Sequence, residues 1–367
     1  MNRTEEHRHK LSLTREYMAR HAVDAVAISR QASFAWLTCG GDNHVGIATE
    51  AGVGTVGVTA DKTYLVASNI EAPRLAAEEV NGLGMEVCSF PWHKPAERDA
   101  ILSDIVAGGT AASDDGSPGT RPLGGDFAEL RYSLTQPEID RYRWLGRNCS
   151  LVVEAACRRA SPQQTEWELA AAISEGCFKA EITPIVLLVA ADERINRFRH
   201  PIPTDTRAKR ALMAVLCGRR WGLIVSLTRL VHFDPLSDEL KARHQAVCRV
   251  DAAFIAGTVI GRSTGEVFRN AVEVYRETGF ADEWLLHHQG GPTGYASRDY
   301  KPTPDETRLV LPNQAFAWNP SISGTKSEDT ILATPDGPEI LSRAHEWPML
   351  TVDYAGKVLS RPDVLVK

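Results

Sequence analysis

The sequence predicts a mixed α+β protein of two domains, an α/β layer followed by a domain in which helices cover antiparallel strands. Three observations point to it. The 367 residues are long for a single core. The segment Gly108 to Asp126, GGTAASDDGSPGTRPLGGD, is rich in Gly, Ser, Asp and Pro and has no apolar periodicity, which places a boundary near residue 125. The patterns on its two sides differ, with strands alternating with helices before it and capped helices interleaved with paired apolar runs after it. The expected domains are therefore 1–125 and 126–367.

Ahead of the boundary, Asp24 to Ser29, Tyr64 to Ala67 and Met85 to Phe90 read as buried strands, separated by helical stretches at Leu11 to His21 and Glu71 to Glu79. Beyond it, Thr135-Gln136-Pro137-Glu138 combines a capping Thr, a Pro in the first turn and a Glu three residues on. Thr165 to Glu168 and Ser263 to Glu266 repeat the capping spacing, and Gly279 is placed to end the helix that follows the second. Ala211 to Gly218 and Trp221 to Leu230 are apolar and separated by Arg219-Arg220, as in a hairpin. Gln314 to Pro320 and Asp329 to Thr334 form a second pair.

Composition limits the function classes. A hydrophobic content of 43% with 24% charged residues is that of an ordinary globular protein. The net charge of −6 argues against nucleic acid as a partner. The opening MNRTEEHRHK has no apolar run, so a signal peptide is not expected, and no stretch is long and apolar enough to span a bilayer. The 7 cysteines include no CxxC pair and read as free thiols in a reducing cytoplasm rather than a zinc site. No phosphate loop, dinucleotide fingerprint or nucleophile elbow is present, and the basic run Arg207 to Arg210 reads as a solvated turn.

The stretch richest in chemistry is Ala315 to Gly337, AFAWNPSISGTKSEDTILATPDG, a hairpin carrying Asn319-Pro320 on one arm and Glu328-Asp329-Thr330 on the other. Four further motifs precede it in order: Tyr132 to Tyr142, Arg199 to Asp205, the pair Leu216-Cys217-Gly218 with Gly222 to Arg229, and Gly290 to Gly294. Together they resemble the pita-bread hydrolases (methionine aminopeptidase, prolidase, aminopeptidase P and creatinase), and the likeness covers nearly the whole chain, including a creatinase-like N-terminal domain. The resemblance implies a pita-bread catalytic domain. It also implies a homodimer, in which the N-terminal domain of one subunit approaches the active site of the other.

The metallopeptidases of that group hold a pair of divalent metals. Carried onto this chain, their two Asp ligands fall on Leu216 and Ser226, their His on Gly291, their first Glu on Asn319 and their last on Glu328. One carboxylate and an amide do not make such a site, so no metal and no cofactor are expected. The same resemblance places the substrate-facing histidine of the family on His200, whose imidazole accepts and donates protons near neutral pH. Creatinase cleaves a carbon–nitrogen bond without metal by means of this histidine. The implied catalytic pair is His200 with Glu328, the carboxylate raising the basicity of the ring or holding a substrate cation.

Arg298 stands where many relatives have another histidine. It is expected to clasp a substrate carboxylate, with a salt bridge to Asp299 as the alternative. Asn319 offers donors and acceptors, while Ser226 and Gly291 are expected to open room for a substrate group. His287 and His288, adjacent in a strand, are expected to point to opposite faces, so that one of them, taken as His288, enters the pocket. His232 reads as structural. The resulting expectation is a metal-independent hydrolase or lyase for a carbon–nitrogen bond of a small polar metabolite. A non-catalytic binder of peptides or proteins and a Xaa-Pro-type metallopeptidase with substitute ligands are the alternatives.

Overall fold

In the computed structural model, which describes residues 1–367, the chain separates into two units. The first is Met1–Arg131 with Thr135–Glu138 and Trp221–Leu223; the second is Tyr132–Leu134, Ile139–Arg220 and Ile224–Lys367. The first unit opens on α1 (Arg3–His21), where the Asn2 side chain accepts the Glu5 N–H and the Glu5 carboxylate accepts the Asn2 N–H. This reciprocal cap starts the helix well upstream of the expected Leu11. There follow β1 (Ala25–Arg30), α2 (Gln31–Leu37), β2 (Ala51–Thr59), β3 (Thr63–Ser68) and α3 (Ala72–Arg74), which a wide helical turn at Leu75–Glu79 continues. Then come β4 (Glu86–Phe90), α4 (Ala96–Val106), β5 (Ala111–Ser113), β6 (Thr120–Pro122) and α5 (Gly125–Glu129).

The strands form one sheet in the order β4-β3-β2-β1-β5-β6. Two sequence expectations change here. Gly108 to Asp126 is not bare linker, because β5 and β6 pair parallel to β1 and to each other within it. Met85 to Phe90 is not a buried strand either, since β4 lies at the sheet edge with most of its residues exposed. Under the sheet, Lys10 is buried between Glu6 at 2.7 Å and Glu138 at 2.6 Å.

The second unit holds α6 (Gln136–Arg159) from Ile139 onward and α7 (Glu166–Lys179), the latter closed at its start by the Thr165/Glu168 reciprocal cap. Next are β7 (Thr183–Ala191), α8 (Glu193–Arg197), β8 (Ala211–Arg220), β9 (Leu223–His232), α9 (Asp238–Gly257) and α10 (Thr264–Glu277). A helical turn at Glu283–Leu286 leads to β10 (Gly290–Thr293). The chain then runs through β11 (Ala315–Trp318), β12 (Ser321–Ile322), β13 (Thr325–Lys326), β14 (Asp329–Thr334), β15 (Gly337–Ile340), β16 (Met349–Tyr354), β17 (Lys357–Pro362) and β18 (Leu365–Val366). The hairpin break between β8 and β9 falls at Trp221-Gly222, both at positive φ as a tight hairpin turn requires, and not at Arg219-Arg220.

Two four-stranded sheets result, β18-β9-β8-β7 and β10-β11-β14-β15. The aromatic core of α9, α10 and β11 backs the second, with Phe254 stacked on Trp318 at 4.5 Å between ring centroids. A charge cluster lies in the same interior. Asp329 Oδ1 accepts from both terminal nitrogens of Arg229 at 3.2 Å and from Ser342 Oγ at 2.8 Å, while its Oδ2 accepts from Arg361 at 2.8 Å. Arg361 also binds Asp251 at 2.6 Å, and both guanidiniums are wholly buried. Asp329→Ala would leave those cations short of their shared carboxylate. The expected loss is about 3–5 kcal/mol of stability, read from the urea midpoint at neutral pH.

Candidate active site

The site is placed by strand alternation. β11 pairs antiparallel with β10 and β14, so that Gly291, Ala317 and Thr330 share one row and Gly290, Trp318 and Asp329 the next. Successive side chains point to opposite faces. Asp329 therefore turns into the Arg229/Arg361 cluster while Glu328 and Thr330 turn toward β9. There the Thr330 hydroxyl donates to the Ser226 carbonyl and the Thr228 hydroxyl to Glu328 Oε2, at 2.9 and 2.6 Å.

Glu328 is almost wholly buried and fully engaged. Lys326 Nζ lies 2.7 Å from Oε2 and Arg298 Nη2 3.4 Å from Oε1. Burial alone would raise its pKa, but the charges of Lys326 and then Arg298, with the hydrogen bonds from Lys326 and Thr228, hold it below the ordinary carboxylate value. Two cations on one carboxylate leave the cluster with positive charge in excess. Lys326 was not among the expected site residues. Its signal was its position two residues before Glu328, which puts both on one face of an extended segment.

Beside this cluster three imidazoles converge. Nitrogens of His200, His287 and His288 all lie within 4.8 Å of one another. His287 Nε2 is 3.2 Å from His200 Nε2, and the His288 ring centroid is 5.5 Å from that of His200 and 4.7 Å from that of His287. The expectation of opposite faces fails, because His287 and His288 precede β10 rather than lie in it. They leave the helical turn on a segment that sends both rings toward His200. His287 is buried, with Nδ1 3.2 Å from Ser321 Oγ, whereas His200 is exposed and His288 half-buried.

All three rings are held neutral near pH 7. Burial first, then the charge of Lys326, puts His287 far below the ordinary histidine value. Burial and Arg298 bring His288 down to about 4. His200 is lowered by burial and Lys326, with Glu328 opposing.

Leu216, Ser226, Gly291, Asn319 and Glu328 do not fit a two-metal centre. Leu216 and Ser226 have no exposed surface, and the Ser226 hydroxyl is 3.2 Å from Cys217 Sγ. Gly291 has φ +141°, and a Cβ there would meet Pro302 Cδ at 2.4 Å and the Tyr300 carbonyl at 2.8 Å. The expectation that Ser226 and Gly291 open room for a substrate is thus corrected: one is packed in the sheet and the other is covered by the Tyr300–Pro302 segment. Arg298 pairs with Glu328. Asn319 is buried beside Gln289, whose carbonyl its N–H reaches at 3.2 Å, and its Oδ1 has no hydrogen-bond partner. His232 lies apart from these groups, with Nδ1 at the Asp234 carbonyl.

Residues 140–335, more than half of the chain, match the model of metallopeptidase family M24. The chain belongs to that family. An uncharacterized peptidase of Staphylococcus epidermidis is 24% identical to this M24 chain over 123 residues, 32% of this chain and 35% of the relative, so the match spans about a third of that protein. Xaa-Pro dipeptidase from Bacillus anthracis superposes with a TM-score of 0.78 at 14% identity, over 98% of this chain and 100% of that one. The N-terminal domain of FACT complex subunit SPT16 from chickpea (Cicer arietinum) superposes at 0.71 and 13% identity, covering 94% and 97%. The expected pita-bread domain behind an N-terminal domain is borne out by the family match and this full-length likeness. No helix of this M24 chain is long and apolar enough to cross a membrane.

The lowered pKa of Glu328 means that its ionised form stabilises the fold above the unfolded-state pKa, and that this contribution is lost as pH falls through the folded value. Lys326→Met removes the nearest counter-charge and is expected to cost about 1–3 kcal/mol at pH 7. The variant carboxyl takes up its proton at higher pH. The gap between variant and wild type in chemical denaturation should therefore narrow on acidification.

Proposed function

We propose that the chain is a metal-independent hydrolase that opens a carbon–nitrogen bond in a small metabolite bearing a carboxylate, with His200 as general acid and base. The observation that carries this reading is a neutral, solvent-reachable imidazole beside a cluster of excess positive charge. A neutral ring is the form that accepts a proton. In the proposed step His200 takes a proton from water, the oxygen attacks the carbon, and the ring returns the proton to the departing nitrogen, so that water adds across the broken bond. His287 Nε2, 3.2 Å from His200 Nε2, is within hydrogen-bond distance and supports that ring.

Glu328 takes a different part from the one first expected. Its oxygens are engaged by Lys326, Thr228 and Arg298, so its work is to fix the two cations rather than to hold a substrate cation. An anionic substrate group fits that field. The unpaired Asn319 Oδ1 and Arg298 Nε supply an acceptor and a donor for an amide or amidine portion.

The test is a panel of N-acyl amino acids, guanidino acids and Xaa-Pro dipeptides, offered to chelator-treated protein and followed by mass spectrometry. Consumption of a carboxylate-bearing member without added metal is the expected result. His200→Ala should lower that turnover by about 10²–10⁴-fold with an unchanged circular dichroism spectrum. Cleavage of Xaa-Pro dipeptides only with added Mn²⁺ would overturn the reading in favour of a metallopeptidase. A panel left untouched, with a peptide bound, would overturn it in favour of a non-catalytic binder.

A further inference from the structure

We infer that His200, His287 and His288 form a binding site for one divalent transition-metal ion, at a place and with a donor set other than those of the five family positions. The argument starts from spacing. Two nitrogens bound to one tetrahedral zinc at about 2.0–2.1 Å sit roughly 3.3 Å apart. His200 Nε2 and His287 Nε2 are already 3.2 Å apart, and the third imidazole has a nitrogen within 4.8 Å of both. His288, half-buried, closes the remaining distance by turning its Nδ1 away from the Gly290 N–H, to which it is joined at 3.2 Å.

The support around these rings is that of a built site. A histidine ligand needs its second nitrogen held so that the first presents a lone pair. Ser321 Oγ lies 3.2 Å from His287 Nδ1 and is placed to accept its proton in the tautomer that leaves Nε2 free to coordinate. Ser321 is itself held by Tyr275, whose hydroxyl accepts the Ser321 N–H at 3.0 Å and donates to Gln289 at 2.8 Å. Gln289 in turn donates to the His287 carbonyl at 2.6 Å. The exposed edge of His200 gives the ion a path in. Among the cations whose charge reaches the rings, Lys326 and Arg298 are turned onto Glu328 and Arg199 onto Glu283, which offsets part of their charge, while Lys301 adds to it.

Three imidazoles without thiolate or carboxylate suit a borderline ion such as Zn²⁺ or Co²⁺ rather than Mg²⁺ or Ca²⁺, and leave a fourth position open to water or an anion. Binding does not depend on the proposed hydrolysis. If His200 is the general base, the ion occupies its lone pair and inhibits, so metal-free turnover and metal binding are mutually exclusive states of one site.

The experiment titrates Zn²⁺ into chelator-stripped full-length protein by calorimetry in a non-coordinating buffer, with the Co²⁺ visible spectrum as a second probe. One equivalent bound at about micromolar affinity or tighter, with the intense bands of tetrahedral cobalt, is expected. His287→Ala and His288→Ala should each weaken binding by at least about tenfold, while the surface variant His93→Ala leaves it unchanged. Metal-free melting curves establish that each variant is folded, and His200→Ala, altered at an exposed position, serves if His287→Ala is not. Absence of stoichiometric binding, or affinity unchanged by removal of His288, would overturn the site. If no substrate is ever turned over, these binding measurements still decide it.

Discussion

The second unit depends on one carboxylate. Asp329 is placed between two buried guanidiniums, its Oδ1 accepting from Arg229 of β9 and from Ser342 and its Oδ2 from Arg361 of β17. Charges so deep in a protein are tolerated only when geometry is good and every partner is present. The cluster therefore penalises any change in the register of β14, beyond what its apolar residues require. A slip of one residue would turn Glu328 into the arginine cluster and Asp329 out toward the lysine, and every contact of the site would be lost with it.

With the register fixed, a single electrostatic field acts on two kinds of group. Lys326 favours the charged form of Glu328 and disfavours the charged form of the histidines, so one ammonium helps keep a buried carboxyl ionised and adds to the burial that holds the three imidazoles neutral. Burial works with the lysine on the rings and against it on the carboxyl. This difference explains how groups a few ångströms apart are displaced so differently from their solution behaviour. It also gives the cluster its preference for lone-pair donation over cation holding.

Much of the fold could be read from local pattern. The reciprocal cap at Thr165/Glu168 and the apolar runs of β8, β9, β11 and β14 are decided by nearby residues, and they stand close to where the sequence puts them. β2 was invisible because Gly52, Gly54 and Gly57 interrupt its pattern. Two of these glycines are needed where a Cβ would strike Asn43 and Leu75. β5 and β6 hid in a segment with the composition of a linker. At the site, His200, Glu328, Arg298 and Asn319 could be named because they sit in recurring motifs. Lys326 had only the weaker signal of its spacing from Glu328, and its importance shows once β13 and the segment before β14 bring it onto that carboxylate. The meeting of His287 with His288 depends on a short turn, and the crowding of Gly291 on a loop ten residues downstream. Neither leaves a trace in local periodicity.

That crowding bears on which substitutions this chain can accept. With Pro302 and the Tyr300 carbonyl lying against the α-carbon of residue 291, a histidine there has to displace backbone before it can offer a ligand. An Asp at 216 would likewise place a charge where the present leucine has no exposed surface. Either substitution taken alone would damage packing that the present residues satisfy. The packing acts as a filter on substitution: the exposed ring of His200 stands where change is cheap, while residues 216 and 291 are hemmed in on every side.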